Sequence, residues 1–301
     1  MEPTLNIAAV ERDTGLSKDV LRMWERRYGF PEPRRDDNGE RLYSLNQVER
    51  LRLMKRLMDL GHRPGKLMGL SMPELEALSA IRHRPASPGG EQVRQELRML
   101  IDLIRQQASN DFSQAMHQRL ARQGLQHFIE DTVAPLTTLI GEAWESGELE
   151  VYEEHLYTEL TKRIMRQAIS ALPPCTQQPR VLLTTVPDEP HLLGLLMVEA
   201  LLTLEGVQCI PLGSQTPLTD IVRAVQAHRA EVVALSFSMA FPHRQIAPTL
   251  SQIRQQLPDS VEVWAGGSGV TRASAANGVK YLPELSDVVP TLKNWRQHHL
   301  S

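Results

Sequence analysis

From Pro179 onward the chain alternates short β-rich apolar runs with longer stretches of helical spacing, and this alternation limits the fold more than any other feature. The runs Val181–Thr185, Val207–Leu212, Val232–Ser236 and Val261–Ala265 read as strands. Between them, His191–Glu205, Pro217–His228 and Arg244–Gln256 read as helices. Neighbouring parallel strands need a long crossover, and a helix supplies it. The alternation therefore predicts an α/β doubly wound parallel sheet with helices on both faces. Such a sheet binds ligands beyond the carboxyl ends of its strands. The hexapeptide Glu189-Pro190-His191-Leu192-Leu193-Gly194 lies there, after the first strand. A carboxylate beside a histidine can fix the imidazole tautomer and sharpen it as a metal ligand. Taken alone, His191 equally suits a helix start with no metal, and Gly194 a close helix packing.

Two further segments precede the sheet. Helical apolar spacing at Val93, Leu97, Leu100, Ile101 and Ile104, and again at Leu156, Leu160, Ile164 and Ile169, predicts a central four-helix bundle over 91–173. Pro173-Pro174 closes it. The stretch Pro85-Ala86-Ser87-Pro88-Gly89-Gly90 reads as a linker, set at 83–90, because Pro and Gly interrupt helices. Residues 1–82 then form an N-terminal domain and 179–301 the sheet domain. The net charge of -3 excludes a globally basic coat but allows a local basic face. The two cysteines, Cys175 and Cys209, exclude a disulfide framework or a cysteine metal cluster. Without an apolar run of membrane length or a basic-then-apolar leader, the expected location is cytoplasmic, with no membrane partner.

In the N-terminal domain, Leu5–Arg12 reads as a first helix, Thr14-Gly15-Leu16 as a turn, and Ser17 as the N-cap of Lys18–Tyr28. Lys18, Arg22, Arg26 and Arg27 project from the second helix, while Val20, Leu21 and Trp24 can face inward. Asn38-Gly39 between extended arms predicts a hairpin carrying Arg34, Arg35 and Arg41. The whole is an α+β winged helix-turn-helix. Its acidic residues, Asp19, Glu25, Glu32, Asp36, Asp37 and Glu40, dilute the basic charge, so charge alone favours a solvated helical hairpin. The string LRMWERRYGFPEPRRDDNGERLYS at 21–44 closely resembles the MerR family of winged-helix regulators, over about residues 5–75. That resemblance implies binding to double-stranded operator DNA as a dimer. Candidate contact or wing residues are Lys18, Arg22, Arg26, Arg27, Tyr28, Arg34, Arg35, Arg41 and Tyr43. Trp24 and Tyr43 fit a core equally well, and for Trp24 the core is favoured.

The sheet domain carries a second resemblance. Glu189-x-His191-x-x-Gly194, then Ser236-Phe237-Ser238, then Gly266-Gly267 look like the three signatures of cobalamin-binding Rossmann-like domains. The family pattern has Asp where Glu189 stands, and Leu or Thr where Ser238 stands. The resemblance implies His191 as the lower axial ligand of cobalt, with Ser236, Ser238, Gly266 and Gly267 lining the cleft for the nucleotide tail. In the middle segment, WESGELEVYEEH places Trp144 nine residues before the pair Glu154-His155, with Val151 between. This pattern resembles the bundle of light-sensing, adenosylcobalamin-binding MerR regulators. It implies that Trp144, Val151, Glu154 and His155 cap the upper, adenosyl face. Where that family has a histidine directly after the Trp, this chain has Glu145.

The expected function is a cobalamin-dependent, light-responsive repressor, not an enzyme, in which adenosylcobalamin controls self-association and operator binding. Two competing readings are a MerR-type regulator whose sensor binds no cobalamin, and a cobalamin-carrying enzyme module.

Overall fold

The computed structural model describes residues 4–14, 16–36, 39–59, 62–80, 88–173 and 177–299. The chain divides into two compact units, Met1–Glu96 with Leu139–His155, and Leu97–Thr138 with Leu156–Ser301. Among the described residues no helix is long and apolar enough to cross a membrane.

The first unit begins with strand β1 (Thr4–Asn6), helices α1 (Ile7–Thr14) and α2 (Lys18–Tyr28), and strands β2 (Arg34–Arg35) and β3 (Arg41–Ser44). Helices α3 (Leu45–Asp59), α4 (Pro64–Leu67) and α5 (Met72–Ala80) follow. The expected first helix is displaced: Thr4–Asn6 pairs antiparallel with β3, and the helix starts only at Ile7. Asn6 explains the break, since its Oδ1 accepts the Ala9 N–H at 2.9 Å and so caps α1. Gly15, expected as a turn glycine, lies outside the described residues, as do Asp37 and Asn38 at the hairpin tip.

Helix α2 has the expected bounds. Ser17 accepts the Val20 N–H, and Gly29, at φ 67°, ends the helix with its N–H on the Glu25 carbonyl. Leu21 and Trp24, three apart, are buried against Val10, Leu16, Tyr43, Val48, Leu51, Met54 and Leu57. The hairpin pairs Arg34 with Leu42 and Arg35 with Arg41.

Four bundle helices follow, α6 (Pro88–Arg105), α7 (Ser109–Phe128), α8 (Ala134–Ser146) and α9 (Val151–Ser170), with a π turn at Ile129–Val133. Helix α6 takes up Pro88-Gly89-Gly90 from the end of the expected linker. Proline is at home in a first turn, where its missing N–H has no partner to lose. The rest of that linker, residues 83–87, lies outside the described residues. The inner ends of α8 and α9 belong to the first unit and their remainders to the second.

The sheet comprises β4 (Gln177–Thr184), β5 (Val207–Gly213), β6 (Val232–Ser236), β7 (Glu262–Gly266) and β8 (Val279–Leu282), all parallel, in the order β5-β4-β6-β7-β8. Helices α10 (Leu193–Leu204), α11 (Leu218–His228), α12 (His243–Gln256) and α13 (Val288–His299) cover it. Alternation along each strand builds both faces. Leu182, Val233, Leu235, Val263 and Ala265 pack with α11 and α12. Val181, Leu183, Val232, Ala234 and Trp264 pack with Leu195 and Leu202 of α10 and with Leu292 and Trp295 of α13. The fifth strand and the last helix are additions to the sequence reading. Val279–Leu282 is a four-residue edge strand, too brief to stand out as an apolar run. The chain order reverses between β4 and β6, and a doubly wound sheet opens its ligand crevice at that point.

Candidate functional site

Three loops meet at the carboxyl ends of β4, β6 and β7. After β4 the chain turns through Asp188, at φ 68°, a left-handed conformation that aspartate tolerates. Glu189 then points inward and is 1 % exposed. Thr185 holds this turn from both sides: its hydroxyl donates to the Glu189 carbonyl at 2.5 Å and accepts the Gln215 N–H at 2.8 Å.

The Glu189 carboxylate organises the site. Its Oε1 accepts the His191 backbone N–H at 3.1 Å and lies 2.6 Å from the imidazole Nδ1. Its Oε2 accepts the Ser238 N–H at 2.7 Å. The Ser238 hydroxyl reaches both carboxylate oxygens, at 3.1 and 2.9 Å, and lies 3.1 Å from His191 Nδ1. Burial is the largest influence on Glu189 and pushes its carboxyl up. The hydrogen bond and charge of His191, with the N–H groups of Ser238 and His191, outweigh it and hold the group below the usual carboxylate range. A buried carboxylate thus fixes a histidine whose side chain is still 53 % exposed. The extra methylene of Glu189 is absorbed by Ser238, two residues beyond β6. The family resemblance implies Ser238 along a tail cleft; in the structure its hydroxyl also donates to the Glu189 carboxylate. The signal was available, since a serine can donate where a leucine cannot.

The small residues divide by what they face. A Cβ on Gly194 would lie 3.0 Å from Ser236 Oγ, so α10 approaches β6 closely there. Gly266 faces the Leu282 carbonyl, where a Cβ would sit at 3.0 Å. Gly267 has φ 91°, and its Cβ would come within 2.4 Å of the Phe237 carbonyl oxygen. Gly269, which sequence reasoning missed, would collide with the Ser238 carbonyl at 2.4 Å. Gly267 and Gly269 thereby let the loop after β7 close on the loop that carries Ser238. Gly267→Ala should cost about 1–3 kcal/mol of stability, from positive-φ strain and overpacking. Chemical denaturation measures it, and an unshifted midpoint would refute this account of the loop.

A second cluster lies in the first unit. Trp144 lies half-buried two residues before the end of α8, and Gly147, at φ 81°, turns the chain toward α9. Glu153 accepts the Glu150 N–H at 2.8 Å and caps the start of α9. Val151 and Glu154 are half-buried. His155 is 70 % exposed, with Nδ1 2.7 Å from Glu154 Oε2. Arg52 of α3 meets Glu150 at 3.3 Å, and Arg94 of α6 pairs with Glu142 of α8. The Trp144–His155 segment is therefore tied by charge to α3 of the winged helix, and α8 just ahead of it to α6.

On the winged helix, Arg26, Arg27, Arg34 and Arg35 are exposed. Lys18 lies 3.5 Å from Glu11, and Arg22 lies 3.6 Å from Asp19. The Arg27 guanidinium stacks over the half-buried Tyr28 ring, 5.3 Å from its centroid. Tyr43 is corrected: it is fully buried beside Trp24, so it belongs to the core and not to the DNA-facing surface. Period-2 alternation on β3 sends it inward, and burial pushes its hydroxyl pKa up.

Comparison with known proteins agrees with this layout. Residues 5–70 match the MerR HTH family of regulatory proteins, and residues 93–169 and 179–287 each match a B12 binding domain. The chain is 34% identical over 269 residues to the HTH-type transcriptional repressor CarH of Myxococcus xanthus, covering 88% of each. It is 29% identical over 293 residues to the HTH-type transcriptional repressor CarA of the same organism, covering 95% of each. The Methanosarcina barkeri monomethylamine corrinoid protein shares the fold, with a TM-score of 0.52 and 18% identity over 65% of this chain and 97% of that one. The protein is a DNA-binding, cobalamin-binding transcription regulator and not an enzyme. It belongs to the MerR-family, B12-binding transcriptional repressors, alongside CarH and CarA.

Proposed function

We propose that the protein is a light-responsive repressor in which adenosylcobalamin controls self-association and hold on operator DNA. The observation that carries this reading is the clamp on His191, a buried carboxylate fixing one exposed imidazole at the switch point of the sheet. One histidine with a fixed tautomer suits a cobalt whose equatorial ligands come from a corrin ring. The residues present fit that group: Glu189 and Ser238 orient His191, and the small residues Gly194 and Ser236 let α10 pack close against β6 beside it.

In this reading His191 would hold cobalt through Nε2, the ring nitrogen opposite the one facing Glu189. Ser236, Gly194, Gly266 and Gly267 would bound the tail cleft, with Ser238 acting through Glu189. Trp144, Val151, Glu154 and His155 would cover the upper face and exclude water from it. Bound adenosylcobalamin supplies a cobalt–carbon bond that light breaks. With Glu145 after Trp144, the chain has no histidine there to take the vacated face. The winged helix, within 1–82, would meet DNA through Lys18, Arg22, Arg26, Arg27, Tyr28, Arg34 and Arg35, mostly at phosphates. The segments 91–173 and 179–301 would form the sensor. For light to act, the two ligand states must favour different assemblies, since equal affinity shifts nothing. The Arg52–Glu150 contact gives the cap segment a direct hold on α3 of the winged helix.

The test is reconstitution with adenosylcobalamin in the dark, followed by light scattering and DNA-binding titration before and after green light. We expect a larger, tighter-binding assembly in the dark and a smaller, weaker one after illumination. A red, protein-bound chromophore with no change in size or affinity on illumination would overturn the light reading and leave cobalamin binding intact.

A further inference from the structure

The resemblance to MerR regulators places Arg41 among the residues that face DNA. Its surroundings give it another task. The Arg41 Nε–H donates to Glu25 Oε2 at 2.8 Å, and a second guanidinium nitrogen reaches Oε1 at 3.4 Å. Glu25 lies on α2, one turn before its C-terminal end, and Arg41 begins β3 of the wing. The pair therefore spans the two elements that must meet the duplex at a fixed angle.

Three observations bear on what the pair does. Arg41 is two residues before Tyr43, so alternation puts both on one side of β3, and Tyr43 is fully buried against the helices. The register sets Arg35 directly opposite Arg41, and like charges in that position repel. Glu25 neutralises one of the two, while Arg35 turns to the Gly39 carbonyl at 2.8 Å and ties the hairpin tip. Finally, Asp19, Arg22, Arg26 and Arg41 line one groove. Arg22 and Arg26, four apart on α2, carry exposed charge there, whereas the charge of Arg41 is already matched.

We infer that Glu25 and Arg41 form a positioning pair that sets the wing against the recognition helix, and that Arg41 supports operator binding through this geometry and not as a phosphate contact. A glutamate on a DNA-facing helix repels phosphate, so removing it should by itself tighten binding. In a positioning pair, removing it weakens binding. The sign separates the two roles. So does lysine at position 41, which keeps the charge but cannot make the two-pronged contact.

The experiment uses the full chain and a duplex selected by the wild-type protein from a randomised library. Affinity is measured against salt concentration for Glu25→Gln, Arg41→Gln, Arg41→Lys and the double variant Glu25→Gln/Arg41→Gln. The side chains of Glu25 and Arg41 are 28% and 25% exposed, so the pair is partly buried, and a thermal transition for each variant separates a loss of folding from a loss of binding. We expect all four to bind about tenfold more weakly, as loss of a charged hydrogen-bonded pair predicts. The double variant should be no worse than either single one, and the salt slope should stay at the wild-type value. Tighter binding by Glu25→Gln would overturn the inference. So would near-normal binding by Arg41→Lys with a salt slope lowered by about 1 in Arg41→Gln, the mark of a lost phosphate contact. Unchanged affinity throughout would also overturn it.

Discussion

His191→Ala should abolish histidine coordination of bound cobalamin while leaving the fold intact. The side chain is 53 % exposed, so its loss opens no cavity in either core layer. Its removal does leave Glu189 without its strongest partner, and stability should fall slightly. The visible spectrum of the reconstituted protein should change from that of a histidine-ligated cobalt to that of cobalamin carrying its own base. Affinity should drop by at least about 100-fold, since partners of a metal-bound histidine are alone worth 10–100-fold. His228→Ala, an exposed histidine at the end of α11, is the control and should bind normally. A histidine-type spectrum persisting in His191→Ala would assign the ligand elsewhere and remove the basis of the site.

Glu189→Gln is expected to weaken binding by about 10–100-fold and to destabilise the protein by about 1–3 kcal/mol. The carboxylate accepts from Ser238 N–H, Ser238 Oγ and His191 at once. An amide has one oxygen, and its NH2 group would face a donor in a site that is 1 % exposed. The effect carries a pH signature. The folded carboxyl lies below its unfolded value of about 4.3. Its contribution is therefore fully present above that value and is lost as acid takes the pH down through the folded value. The stability gap between wild type and Glu189→Gln should narrow in that acid window. Urea midpoints across the acid range measure it. A gap that widened on acidification would show that Glu189 is not held as a carboxylate. Glu189→Asp, which restores the family residue but shortens the reach to Ser238, should recover only part of the affinity.

Much of the architecture was legible in the chain. Helix α2 was read to the residue because Ser17 and Gly29 cap it locally, and local chemistry needs no tertiary context. Strands β4, β6 and β7 were visible because strands buried on both faces are nearly continuous apolar runs, and the edge strand β5 because it is seven residues long and carries Val207, Ile210 and Leu212. Strand β8 was not, since its four residues form an edge with half-exposed sides. Helix α1 was misplaced by two residues because a three-residue strand borrows its pattern only from pairing with β3. Glu189 and His191 were singled out from their place after the first strand, and the structure sets them 2.6 Å apart; Trp144, Val151, Glu154 and His155 were singled out by family resemblance.

What the sequence determined alone was therefore most of the elements, the capping of α2 and the identity of the chemical groups, all fixed by neighbours along the chain. The tertiary structure decided which partner each group takes. It made Ser238 a donor to Glu189, buried Tyr43, and gave the guanidinium of Arg41 to Glu25. Each of these contacts joins residues 16 to 49 positions apart or buries a side chain beneath a neighbouring element, and spacing along one chain carries no record of such meetings.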